Sequence, residues 1–165
     1  MFDHIEVQEA IKRSIQTEKN AMNFYLMASR HIKEENARRL FELLAEEEKE
    51  HARQFFELYR GEDLPNFDAY IMSTSEGEKD WLSSREHALL ADLQVRKAME
   101  LAMEKELKLE KHLRDMAKKI GNREVRQVFE ANAISTFNHY QLIESEYAHL
   151  MGMVHETDID IFVRE

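Results

Sequence analysis

The residue types best suited to chemistry in this chain recur at a fixed interval of 88 positions (106 − 18). Three positions of the first half are matched in the second: Glu18 by Glu106, Glu48 by Thr136, and His51 by His139. Carboxylates and imidazoles are the protein ligands of iron and zinc when no cysteine is present. Two residues three positions apart on a helix share a face, so a Glu-x-x-His sequence can point both side chains at one centre. The pattern predicts almost the full ligand set of a two-metal carboxylate site, with one carboxylate missing at Thr136.

The repeat carries this prediction, because a Glu-x-x-His sequence alone is weak. The chain contains two of them, at Glu48/His51 and Glu146/His149, and only the first has a match in the repeat. We interpret Glu146 and His149 as a surface pair. Residues 10–59 align with residues 98–147 without gaps, and the predicted helices and the turn between them stay in step.

Apolar residues at helical spacing predict four long helices. Their ranges are 4–31, 35–59, 83–119 and 123–151. Two tight hairpins joined by one long connection are typical of an all-α, ferritin-like antiparallel four-helix bundle with a crossover between helices 2 and 3. We expect one domain over residues 1–151, followed by a tail over residues 152–165.

Several residues mark the predicted ends of these helices. Gly61 and Gly121 are expected to end helices 2 and 3 in the left-handed conformation, and Asn122 to cap helix 4. Ser83 and Glu86 fit a capping box at the start of helix 3. Residues 61–82 contain Pro65 and a polar run, so we expect them to form the long connection.

Composition excludes several classes of function. The 165 residues include no cysteine, which excludes thiolate metal sites, iron–sulfur clusters and cysteine nucleophiles. A formal net charge of −10 argues against nucleic acid as a partner. No apolar run reaches the roughly 20 residues of a membrane span, and no signal peptide is recognisable. We therefore expect a cytoplasmic protein that does not enter a membrane.

Two glutamates are predicted to point into the bundle. Glu18 lies between Ile15 and Met22 on the apolar face of helix 1, and Glu106 lies among apolar residues of helix 3. A buried carboxylate without a partner is costly, and no Lys or Arg is expected on these faces. A divalent metal ion with imidazole ligands would compensate the charge. A metal-free network of buried polar groups is the alternative.

The segments 10–25, 40–51 and 98–106 resemble the corresponding helices of rubrerythrin-like proteins of the ferritin-like superfamily. The resemblance covers about residues 5–150. It implies a centre of two iron ions held by one glutamate each from helices 1 and 3 and by Glu-x-x-His from helices 2 and 4. Carried over, Glu18 and Glu106 would be terminal ligands, Glu48 a bridging ligand, and His51 and His139 the imidazoles. Tyr25 would hydrogen-bond near the metal.

The chain also departs from that family pattern. Thr136 occupies the position of the second bridging carboxylate, and Leu109 that of an additional carboxylate. The cysteine-rich iron domain of full-length rubrerythrins is absent from this sequence. Three residues near the same faces are weighed as further site residues: Glu110 and His112 as ligands, and Asn132 as a lining residue. Glu46, Glu47 and Glu50 are interpreted as a solvated face.

These observations leave two functional hypotheses. The first is oxidation of Fe(II) by oxygen or peroxide at a two-iron centre, with Tyr25 and Thr136 beside the reacting groups and with electrons supplied by an external donor. The second is a non-catalytic module that holds one metal ion, iron or zinc, on Glu18, Glu48 and His51 and acts through its surface. A homodimer is expected in either case, because two-fold pairs are the commonest assemblies.

Overall fold

The computed structural model describes residues 1–73 and 95–152, and most of these residues are helical. The helices are α1 (His4–His31), α2 (Glu35–Leu58), α3 (Phe67–Met72), α4 (Val95–Lys119) and α5 (Arg123–Tyr147). A π-helical turn over Ala148–Gly152 extends α5. Among the described residues, no helix is long and apolar enough to cross a membrane.

Side-chain caps fix the starts of α1 and α5. The Asp3 carboxylate accepts a hydrogen bond from the Glu6 N–H at 2.8 Å, and the Glu6 side chain reaches back to the Asp3 N–H, which completes a capping box. Asn122 accepts from the Val125 N–H at 3.0 Å, as its position in the sequence predicted. Each such cap satisfies a backbone donor that the helix leaves unpaired, and removing one typically costs about 1 kcal/mol.

The prediction of left-handed glycines at the helix ends is wrong. No described glycine has a positive φ, so neither Gly61 nor Gly121 takes that conformation. The chain instead leaves α2 through Tyr59 in an extended conformation. Gly61 is still constrained, because a Cβ at this position would collide with the Tyr59 ring.

The predicted long connection contains a short helix. Within residues 61–82 the structure describes α3, which is capped by Asn66. Phe67 of α3 packs edge-on against Phe56 of α2, at 5.3 Å between ring centres, which anchors this part of the connection to the bundle. The predicted capping box at Ser83 and Glu86, and the tail from residue 153, lie outside the described residues.

Two apolar clusters fill the bundle and reveal the helix directions. The Phe41 cluster contains the C-terminal half of α1, the N-terminal parts of α2 and α4, and Ile143 near the end of α5. The Phe129 cluster contains the opposite ends, including Ile11, Phe55 and Leu113. Helix α1 is therefore antiparallel to α2, and α4 to α5, whereas α2 and α4 run in the same direction. This is the predicted ferritin-like bundle, and parallel α2 and α4 are the reason a long crossover is needed.

Candidate metal centre

A layer of buried polar side chains separates the two apolar clusters, halfway along the bundle. Four helices contribute to it, and its members are less than one-tenth exposed: Glu18, Glu48, His51, Glu106, Asn132, Thr136 and His139. Burying carboxylates without compensation is unfavourable by several kcal/mol per ion in real proteins. A folded bundle with such a layer therefore needs positive charge within it.

The layer contains two groups of possible metal ligands that share one residue. Glu18, Glu48 and His51 form the first group, and Glu48, Glu106 and His139 form the second. Within each group the candidate ligand atoms lie within 4.8 Å of one another, a spacing that a single ion can span. Each group thus offers three candidate protein ligands to one metal ion, and Thr136 belongs to neither group.

Individual distances describe how closely the groups converge. His51 Nδ1 lies 3.6 Å from Glu18 Oε2 and 3.7 Å from Glu48 Oε2. His139 Nδ1 lies 2.7 Å from Glu48 Oε1 and 3.7 Å from Glu106 Oε1. The two imidazole rings stack at 5.2 Å between centres and are nearly parallel. In both imidazoles it is therefore Nδ1 that lies nearest the buried carboxylates.

The facing atoms lack hydrogen-bond partners, which indicates that they fit a metal. Both oxygens of Glu18 and of Glu48, one oxygen of Glu106, and Nδ1 of both histidines are buried without a hydrogen bond. Even the 2.7 Å approach of Glu48 to His139 lacks hydrogen-bond geometry. Buried polar atoms are almost always paired, so this many unpaired atoms at one point calls for an ion. Carboxylate and imidazole donors suit iron and zinc.

The outer nitrogens of the two imidazoles are held by residues of the opposite hairpin. His51 Nε2 is hydrogen-bonded to Ser135 Oγ at 2.8 Å, and His139 Nε2 to Glu47 Oε1 at 3.2 Å. Ser135 and Glu47 are themselves related by the repeat (135 − 47 = 88). Such outer partners fix the orientation of a ligating imidazole and leave its other nitrogen free for metal.

Sequence reasoning missed both of these partners. Glu47 was assigned to the solvated face, but its half-exposed carboxylate reaches His139, whereas Glu46 and Glu50 are exposed as predicted. The repeat held a signal that was not used: the residue four positions before each histidine lies on nearly the same helix face. Only the packing of the two hairpins shows that Glu47 and Ser135 each contact the histidine of the other half of the repeat.

Mutual charges shift the pKa of every ionisable group in the layer. Burial, followed by the Glu48 charge, raises the pKa of Glu18 well above its ordinary value, and the same two causes raise that of Glu106. Burial alone would lower the pKa of the imidazoles, but the facing carboxylates raise the pKa of His51 to about 10 and that of His139 to about 11. Without metal, protons therefore supply the positive charge, and metal must displace them to bind.

A family model described as Rubrerythrin matches residues 9–147, which include all these site residues. The chain belongs to the rubrerythrin family. Neither the curated proteins nor the solved structures give a significant match to it. The resemblance drawn from three short segments is thereby confirmed over nearly the whole bundle.

Tyr25 of this rubrerythrin-family chain lies directly beside the layer. Its hydroxyl donates a hydrogen bond to Glu106 Oε1 at 2.5 Å. Burial, followed by the Glu106 charge, raises the pKa of Tyr25 well above its ordinary value, so the hydroxyl keeps its proton. The ring packs edge-on against Phe41 at 5.1 Å, which fixes its orientation. The structure thus places the Tyr25 hydroxyl against a candidate ligand of the layer.

Thr136 and Asn132 are buried on the face of α5 that carries His139. Thr136 Oγ1 has no hydrogen-bond partner. The Asn132 amide donates to Gln54 Oε1 at 2.9 Å and to the Val128 carbonyl at 2.8 Å, but its own Oδ1 is unpaired. Both Thr136 and Asn132 are thus polar and buried, and each has an atom without a hydrogen-bond partner.

Two further candidates are not brought to the layer. Glu110 lies one turn beyond Glu106 and is hydrogen-bonded to Arg114 at 2.6 Å, outside both ligand groups. His112 is exposed on the outer face of α4. The slots that match them in the first half, Met22 and Phe24, are buried, so the two halves differ here. We do not retain either residue in the proposed site.

Lys19 is a buried cation that the sequence analysis did not expect. It is fully buried next to Glu18 in the chain, but its Nζ donates to Ser73 Oγ at 2.9 Å and lies 4.6 Å from the centre of the Tyr70 ring. Its charge is thus directed toward the connection after α3. Consecutive residues on a helix point in different directions, which explains how Lys19 and Glu18 can be buried in different surroundings.

Proposed function

We propose that this protein binds two metal ions, iron in its working form, and couples the oxidation of Fe(II) to the reduction of peroxide or oxygen. The single observation that carries the proposal is that Glu48 belongs to two buried ligand groups at once. A carboxylate with an oxygen toward each group is placed to bridge two ions. The same observation favours a two-metal centre over a module that holds one ion on Glu18, Glu48 and His51.

Bound iron would supply electrons: two Fe(II) become two Fe(III), and the two electrons with two protons convert one hydrogen peroxide to two water molecules. The residues of the chain would provide the surroundings. The three glutamates and two histidines hold the ions, while Ser135 and Glu47 orient the imidazoles. The two apolar clusters on either side of the layer keep bulk water away and strengthen its electrostatic interactions.

Tyr25 would act as a positioning and proton-holding residue. Its Oη donates to Glu106 Oε1, which leaves Oε2 of the same carboxylate without a protein partner and available as a ligand atom. The hydroxyl retains its proton across the physiological range because burial and the Glu106 charge raise its pKa. It therefore stands ready as a hydrogen-bond donor at the edge of the centre.

The electron donor and the assembly belong to the same proposal. We propose that a separate donor protein returns Fe(III) to Fe(II). A homodimer is proposed as the assembly, on the general frequency of two-fold pairs. Sedimentation or gel filtration measures it directly.

Anaerobic titration of the metal-free protein with Fe(II), followed by hydrogen peroxide, tests the function. We expect close to two Fe(II) per chain and a rapid rise of near-ultraviolet absorbance on adding peroxide, with one peroxide consumed per two iron ions. One ion per chain, without a response to peroxide, would support the single-metal module instead.

A further inference from the structure

The position of Thr136 leaves an uncompensated charge in the proposed centre. Three glutamates of the two ligand groups carry three negative charges when they bind metal, and the two imidazoles are then neutral. Two divalent ions would carry four positive charges, so the ions and their five ligands would hold one net positive charge. The Glu47 carboxylate near His139 is half-exposed and lies outside both ligand groups. An unpaired buried charge is strongly unfavourable. The metal-loaded centre therefore attracts one further anion.

The groups on α5 indicate where that anion would bind. Thr136 is fully buried, stands three residues before His139 on the same helix face, and has an unpaired hydroxyl. Glu48 holds the matching position on α2 and contributes to both ligand groups. An anion beside Thr136 would thus occupy, on α5, the position that matches Glu48 on α2.

The difference between the two matched side chains defines the size and chemistry of the anion. Two methylene groups separate the carboxylate of glutamate from Cα, whereas threonine ends at Oγ1 and a methyl group. The atoms that Thr136 lacks correspond approximately to one small carboxylate group. A hydroxyl can donate a hydrogen bond to a carboxylate oxygen, and the second oxygen would remain for metal. Asn132 Oδ1 can only accept, and would take a hydrogen bond from an accompanying water molecule.

From these observations we propose that the metal-loaded protein binds a small monocarboxylate, of the size of formate or acetate, at Thr136, as an external fourth carboxylate of the centre. The inference rests on the proposed two-metal function. It goes beyond that function because one carboxylate ligand of the two ions would be an exchangeable small molecule. The affinity of the site for metal and for the carboxylate would then be mutually dependent, since each raises the affinity of the other by the same factor.

Formate and Co(II) provide a test that does not require catalytic activity. The full chain is loaded anaerobically with Co(II), whose visible absorption reports its ligands, and is titrated with sodium formate against sodium chloride at equal ionic strength. We expect a saturable spectral change with formate, and a Co(II) affinity at least about fivefold higher at saturating formate. Benzoate, which is much larger than the carboxylate group that Thr136 lacks, should produce no such change.

Two variants locate the effect. In Thr136→Glu the protein's own carboxylate fills the position, so we expect tighter Co(II) binding without formate and no spectral response to it. In Thr136→Val the space and charge are kept and only the hydroxyl is lost, so we expect the response to persist with about tenfold weaker formate binding. Circular dichroism of both variants verifies that they fold.

The outcomes separate the two proposals. If Co(II) binds at two per chain but formate has no effect, water or hydroxide completes the centre and the inference is overturned while the metal site stands. A formate response that is unchanged in Thr136→Glu places the anion elsewhere and also overturns it. Failure of the wild-type protein to bind two Co(II) rejects the proposed metal centre, and the inference with it.

Discussion

Glu48 Oε1 lies 2.7 Å from His139 Nδ1, although the two residues belong to different hairpins and no hydrogen bond joins them. Glu48 also belongs to the ligand group of His51 on its own helix. This carboxylate is therefore the link between the two halves of the repeat. A change at Glu48 should therefore affect both metal positions, whereas a change at any other ligand should affect one.

Replacing Glu48 by glutamine should remove both metal ions, because each ligand group would retain only two of its three protein ligands. Glu18→Gln and Glu106→Gln should each affect one position and leave about one tightly bound ion per chain. Stoichiometry by anaerobic Co(II) or Fe(II) titration distinguishes these cases. Glu110→Gln is the matched control: Glu110 lies on α4 but pairs with Arg114, and two ions should remain. Two ions retained in Glu48→Gln would contradict the site.

The contact of Glu47 with His139 should influence the second metal position alone. A carboxylate partner orients a ligating imidazole and raises its basicity, so Glu47→Gln should weaken metal binding at the position of His139 by about tenfold, at the lower end for such outer partners. Stepwise dissociation constants from competition with a chelator provide the measurement. Glu46→Gln, an exposed neighbour, should change neither constant. If both metal-binding steps were weakened equally, Glu47 would act through the overall charge of the centre.

Tyr25→Phe should lower the stability of the protein without changing the number of metal ions that it binds. The change leaves Glu106 Oε1 without its 2.5 Å donor in a buried setting, which should lower the free energy of unfolding of the metal-free protein by about 1–3 kcal/mol. Urea unfolding followed by circular dichroism measures this loss. Metal stoichiometry should stay at two, and the rate of peroxide consumption should fall. A variant as stable as the wild type would argue against the Tyr25–Glu106 hydrogen bond.

The raised pKa values of the two histidines predict that the metal-free protein becomes less stable as pH rises, whereas metal binding becomes stronger. With folded values of about 10 and about 11, both imidazoles are protonated near neutral pH in the metal-free protein. Their stabilising contribution is complete below the unfolded value of about 6.5 and is lost as pH rises toward these folded values. The metal-free protein should therefore lose stability between pH 7 and pH 10, as urea unfolding at several pH values would reveal.

Metal binding should accordingly release protons and strengthen as pH rises, because only the neutral imidazole is a ligand. Burial and the Glu48 charge also raise the pKa of Glu18 and Glu106, so these carboxyl groups release their protons at a higher pH than an exposed glutamate does. A pH-indicator dye in weakly buffered solution counts the protons on addition of Zn(II). Two or more protons per chain are expected, and metal binding without proton release would contradict the assigned charge states.

The sequence by itself determined the helices and the candidate metal ligands. Apolar residues at helical spacing predicted α1, α2 and α5 to within a few residues, and the 88-residue repeat pointed to Glu18, Glu48, His51, Glu106 and His139. These features are local, or are repeated at a constant interval, and so are visible in one chain. The loss of the carboxylate at Thr136 was visible for the same reason.

Only the tertiary structure decided which side chains meet across the hairpins. The contacts of Glu47 with His139 and of Ser135 with His51 depend on the packing of α2 against α5, which no spacing along one helix encodes. Packing also buried Lys19 against Tyr70, and α2 ended without a left-handed glycine. In each case a contact between distant residues, or the local backbone path, outweighed the preference that the residue type suggests alone.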